Sequence, residues 1–147
     1  MDAPAADRRW LIDHVNLPNP MNYASRSSRV LGQLLDWFVA VVPLIVAAIV
    51  GSRFGRLEAP LAMSGVVWAI GYHFLADGLG EGQSFGKQWL GISVVDDRSG
   101  EPCTFGQSFV RNLLLAILGP LDWIFIFGTR HQRLGDKLAG TVVVAAP

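Results

Sequence analysis

The chain has 147 residues, 51% of them hydrophobic and only 16% charged, with a mean hydropathy of +0.36. This is more apolar than an ordinary soluble domain and fits one small membrane domain. Twelve Lys and Arg balance twelve Asp and Glu, so net charge gives no reason to expect a nucleic-acid partner. The lone cysteine, Cys103, excludes an internal disulfide and a paired-cysteine zinc site.

Residues 1–22, which begin "MDAPAADRRWLIDHVNLPNP", form a polar N-terminal tail. They have neither the apolar core nor the cleavage pattern of a signal peptide, and a twin-arginine reading of "RRWLI" fails because an acid and two prolines follow. "WLIDHV" is expected as a short surface helix, and residues 23–147 form the membrane domain.

Three apolar runs follow, Val30 to Val50, Ala59 to Leu79 and Phe109 to Phe127, each near the roughly 20 residues a helix needs to cross the hydrocarbon. A soluble bundle is disfavoured because so short a chain has too little surface to cover three helices apolar on nearly every side. The fold class expected is all-α integral membrane. It comprises two full transmembrane helices, a third membrane segment broken by Gly119 and Pro120, and a small cytoplasmic β element. Proline supplies no N–H and clashes with the carbonyl four residues back, so the segment divides into two half-helices that dip in and return. The alternative is a kinked full span, which membranes tolerate. Only Arg53 and Arg56 lie in the loop between the first two runs, so a returning segment leaves ten Lys and Arg on the other face. A crossing segment divides them seven against five. Either count makes the N-terminus cytoplasmic under the positive-inside rule, and an inner (plasma) membrane is the expected location.

The first run contains Asp36, about 9 Å beyond Val30 at 1.5 Å per residue. An ionised aspartate at such depth costs roughly 2.5 to 3.5 kcal/mol, so it needs a partner or water. Arg29 shares its helical face but lies about 10.5 Å away, two turns, and so marks an interfacial station rather than an ion pair. Arg111, early in the third run, is the expected donor to Asp36. On the second run His73 and Asp77 stand at i, i+4, a spacing that fits a proton relay, a cation site or a simple interfacial hydrogen bond. Arg111, His73, Asp77 and Asp122 form a possible intramembrane polar network, with Asp122 beside Trp123 expected at an interface. Gly65 and Gly71 are small residues suited to close helix contact.

The loop before the third run is glycine-rich and carries the alternating run "GISVV", then the turn "DDRSG" and "EPCTF", a second, poorer strand. The terminal "GTVVVAA" is another β-branched run, able to pair with "ISVV" only if the tail returns to the same face. "GEGQSFGK" fails as a phosphate loop because Glu81 stands where the first glycine belongs and Gln88 follows Lys87. "DDRSGE" fails the calcium-loop spacing. The closing "RHQRLGDKLAG" reads as an exposed helix end with a solvated His131. No nucleophile–base pair or metal cluster stands at usable spacing, so neither catalysis nor a cofactor is expected.

Arg29 and Asp36 seven apart, the loop "SFGKQWLGISVVDDRSGEP" and the closing "RLGDKLAGTVVV" together resemble the RDD family of membrane proteins, over roughly Tyr23 to Val144. The family is named for one arginine and two aspartates, which fall on Arg29, Asp36 and Asp136. The resemblance implies that Asp136 pairs with Arg29 across the mouth of the first span, provided the tail is cytoplasmic. It also implies either of two roles: monovalent cation/proton transport, as suggested for some members, or an accessory subunit of a membrane complex, as in eukaryotic relatives. Two spans and a hairpin enclose no pathway alone, so transport requires a homo-oligomer. The structural role has a membrane protein as partner.

Overall fold

A computed structural model of the protein describes residues 22–128 and 130–146. The N-terminal tail, with its expected surface helix and with Arg8 and Arg9, lies outside the described residues.

Helix α1, Arg26–Gly51, starts where Ser25 caps the Ser28 N–H at 3.1 Å. It runs through Pro43, which has no N–H to offer the carbonyl of Val39 four residues earlier. The Trp68 indole N–H donates to that carbonyl at 3.0 Å. A 3-10 turn, Gly55–Leu57, leads into α2, Glu58–Leu75, which returns against α1. Gly65 is the contact point, since a Cβ there would stand 2.9 Å from the Leu44 Cα. Gly71, read as a second such contact, has nothing within 4 Å of a Cβ and plays no part in this packing.

After a 3-10 turn at Ala76–Gly78 come the short α3, Phe85–Trp89, and the strand β1, Ile92–Asp96. Thr104 and Gln107 form a capping box that starts α4, Phe105–Leu118, four residues ahead of the expected run. Gly119 ends it at φ +52°, and a 3-10 helix, Gly119–Phe127, follows with Pro120 in its first turn. Helix α5, Leu134–Ala139, then leads through left-handed Gly140 to β2, Thr141–Ala145.

β1 and β2 pair antiparallel from Ile92↔Ala145 to Asp96↔Thr141. One precedes the third segment and the other follows it, so both ends of that segment lie at the end of the bundle where α1 begins. Gly78 packing on Phe105, and the Arg26 guanidinium 5.3 Å over the Phe127 ring, place them there independently. The limbs match in length: 14 α-helical residues rise about 21 Å, and nine 3-10 residues about 18 Å. The segment is long and apolar enough to cross a membrane by composition, as are Arg26–Gly51 and Gly55–Gly78, but it folds back on itself. "EPCTF" does not form the second strand; it contributes a single bridge, Val95↔Pro102, on the edge of β1 opposite β2, where the Val94 N–H is taken by the Gly82 carbonyl and Pro102 has no N–H to extend a ladder.

The apolar interior is thin. Ala24, Ile92, Val94, Cys103 and Val143 pack at the foot of α1, and Ala40, Tyr72 and Ala76 pack between the helices. The outward faces of α1, α2 and α4 are apolar, with Phe38, Val67 and Ile117 largely exposed, as a lipid-facing surface requires.

Candidate functional site

The heart of the molecule is charged rather than apolar. Four cations, Arg29, Lys87, Arg111 and Arg133, and four acids, Asp36, Asp77, Asp122 and Asp136, are each buried to 94% or more. Bare burial of any one is prohibitive, so their mutual geometry decides what the site is.

One cluster surrounds Asp36, on the inner face of α1. Its Oδ1 accepts from the Tyr72 hydroxyl at 2.8 Å and the Gly86 N–H at 2.9 Å. Its Oδ2 accepts from the Ser84 hydroxyl at 2.6 Å and the Lys87 ammonium at 3.1 Å. Lys87 also pairs with Asp77, whose second oxygen accepts from Asn112 at 3.3 Å. The turn from Ser84 to Lys87 thus closes over α1 like a hand. It approaches so tightly that a Cβ on Gly86 would lie 2.5 Å from the Gly32 carbonyl.

The second cluster centres on Asp136, in the first turn of α5. Arg29 pairs with its Oδ2, Arg111 Nη2 stands 3.0 Å from Oδ1, and Arg133 Nη2 stands 3.7 Å away. The Arg133 backbone N–H donates to the same carboxylate at 3.1 Å. Burial alone would raise the Asp136 carboxyl; the Arg111, Arg29 and Arg133 guanidinium groups overcome it and hold it well below the usual carboxylate range. Asp122 accepts from the Gly135 N–H at 2.7 Å and lies 3.6 Å from Arg133 Nε. Arg133 also donates to Gln33 at 3.3 Å and stacks 5.1 Å over Trp123. Arg111 joins the clusters, because its Nη1 is 3.5 Å from Asp77.

The expected Arg29–Asp136 pair is present. Arg111 is not the donor to Asp36. Its stretch of α4 packs on α5, with the Arg111 carbonyl so close to Gly135 that a Cβ would meet it at 2.3 Å, and its side chain serves Asp136 and Asp77 instead. No hydrogen bond forms between His73 and Asp77. Helix α2 ends at Leu75, and the 3-10 turn swings Asp77 out of the i, i+4 register and toward Lys87. Asp122, expected at an interface, is completely buried. The "exposed helix end" is also interior: Arg133 and Asp136 are shielded, and His131 is half-buried, Nδ1 3.3 Å from the Ala24 carbonyl.

Sequence reasoning missed Lys87 and Arg133 as site residues, and Tyr72, Ser84 and Asn112 as their company. A signal for Arg133 was available, since an acid three residues into a short helix reaches back to the N-cap N–H. For Lys87 the only hint was one cation in a glycine-rich loop.

Two adjoining spans, a returning third segment and a small sheet enclosing a neutral lattice of four cations and four acids define a compact polytopic membrane domain. The RDD family model matches residues 23–140, and the chain belongs to the RDD family. It is 30% identical over 118 residues to a proline-rich antigen homolog of Mycobacterium tuberculosis, covering 78% of this chain and 40% of that protein. Proline-rich antigen of Mycobacterium leprae is 31% identical over 86 residues, 56% of this chain and 33% of that one. An uncharacterized protein of Haemophilus influenzae is 27% identical over 135 residues, 86% of this chain and 81% of that one. The chain therefore spans well under half the length of the mycobacterial relatives and most of the Haemophilus protein. No solved structure matches.

Proposed function

We propose that this domain is a structural or accessory membrane module, whose locked charge lattice fixes helix packing and whose apolar faces dock a membrane partner or further copies of the chain. The carrying observation is the saturation of Asp36. A carboxylate has about four lone-pair positions, and Asp36 accepts four bonds, two on each oxygen. A carrier carboxylate must exchange its ligand, whereas this one must break four contacts from α2, α3 and the preceding turn before it can take a cation. In this reading the domain catalyses nothing. It sits in the plasma (inner) membrane with the sheet and N-terminus cytoplasmic, as the ten-to-two distribution of Lys and Arg favours.

A second reading, cation/proton transport by an oligomer, is favoured by one feature: Asp36, His73, Asp77 and Lys87 share a cavity of about 10 Å³. Purified protein in liposomes, assayed for proton-coupled sodium and potassium flux beside Asp36→Asn, separates the two. The structural reading expects flux no higher than in empty liposomes, and loss of folding or assembly in Asp36→Asn. Flux in the wild type, abolished in an Asp36→Asn variant that still folds, would establish transport.

A further inference from the structure

The eight charges cancel as a set, but not locally. Arg29, Arg111 and Arg133 make their closest pairs with Asp122 and Asp136, whereas Lys87 is the cation that bonds both Asp36 and Asp77. One half of the lattice is therefore richer by a positive charge and the other by a negative charge, with the 3.5 Å Arg111–Asp77 approach between them.

The cation-rich half encloses a second cavity of about 10 Å³, room for one water-sized sphere. Its walls include Arg29, Lys87, Arg111 and Arg133 and contain no carboxylate; Gln33 is the side-chain acceptor among them, and it already serves Arg133. Five guanidinium nitrogens of these walls have no hydrogen-bond partner among the described residues: Arg29 Nη1, Arg111 Nε and Nη1, and Arg133 Nε and Nη2. Three of them stand 3.5 to 3.7 Å from a carboxylate, beyond normal bonding reach. Leaving such donors unmet in a buried site is costly. A water has two lone pairs to accept with and brings two protons, for which the side chains of the walls offer one free lone pair, on Gln33 Oε1; the unpartnered oxygens Asp122 Oδ2 and Asp136 Oδ1 belong to residues outside the lining. A monatomic anion accepts from every side, donates nothing and neutralises the local excess.

We propose that this cavity is a binding site for a small monovalent anion of the halide class, held by Arg29, Arg111 and Arg133. The site is independent of whether the domain transports cations. In it the anion shares the three guanidinium groups with Asp136, so its occupancy tightens the joint between α1, α4 and α5.

The test is thermal unfolding of the full-length detergent-solubilised protein in potassium chloride against potassium gluconate at equal ionic strength. Chloride at ten times its dissociation constant should raise Tm by about 3–6 °C, saturably. Truncating an arginine risks the fold, so the informative variant is Gln33→Glu, which supplies a carboxylate from the cavity wall. It should raise Tm in gluconate and abolish the chloride shift. Crystals grown in bromide should show an anomalous peak between the three arginines in the wild type. Equal Tm values in the two salts would overturn the proposal. So would a folded Gln33→Glu variant with the full chloride shift, or a bromide crystal with only a water in the cavity.

Discussion

Asp136 is met by three guanidinium groups and one backbone N–H, which makes it the acid whose loss the lattice tolerates least. Asp136→Asn keeps the shape but leaves three buried arginines facing an amide. Breaking a buried ion pair from one side costs about 3–5 kcal/mol, and the expected outcome is a fall in unfolding free energy of that order, measured by denaturant titration in detergent. The pH dependence follows from the direction of the shift. Because the folded carboxyl titrates below its unfolded value of about 3.9, its contribution is complete above roughly pH 5 and is lost as the pH falls toward and below 4. Wild-type Tm should decline steeply below about pH 4, and Asp136→Asn should decline less. The pairing of Arg29 with Asp136 was legible from family motifs across 107 residues, whereas the partner of Asp36 was not. That partner, Lys87, arrives from a loop 51 residues away, and only the docking of the Ser84–Lys87 turn onto α1 decides which acid it meets.

Among the elements, α1 shows how one helix imposes its needs on another. Pro43 orphans the Val39 carbonyl in a layer where no water can serve it, and Trp68 of α2 answers from across the interface. Trp68→Phe keeps the ring and removes the donor, which should cost about 1–3 kcal/mol. Pro43→Ala restores the N–H within α1, so the loss in the double variant Pro43→Ala/Trp68→Phe should be smaller than in Trp68→Phe alone. A double-mutant cycle of unfolding free energies in detergent measures this coupling, and strict additivity would dismiss the link. The two spans were readable because apolar run length is a property of local sequence. The Gly-Pro break was equally visible. What "EPCTF" and "TVVVA" would pair with was not, since both have strand character and both reach β1, on opposite edges, and only the returning third segment brings "TVVVA" there to form the full ladder.

For the molecule as a whole, the arrangement turns on the third segment, because a full crossing would put α5 and β2 on the far side of the bilayer from Arg29 and β1. Single cysteines at exposed positions before and after that segment, Arg98→Cys and Lys137→Cys, test this directly against Arg53→Cys in the opposite loop. Native Cys103 does not interfere: it is 3% exposed, and burial pushes its thiol up to about 11, so it stays protonated and shielded at neutral pH. With a membrane-impermeant maleimide on intact cells, Arg53→Cys should label, while Arg98→Cys and Lys137→Cys label only after the membrane is opened. The reverse pattern, with Arg98→Cys and Lys137→Cys still alike, would invert the orientation and keep the fold. Labelling of Lys137→Cys together with Arg53→Cys in intact cells would refute the returning segment. It would break the β1–β2 ladder and separate Asp136 from Arg29 by the thickness of the hydrocarbon, so the charge lattice stands or falls with that single turn at Gly119 and Pro120.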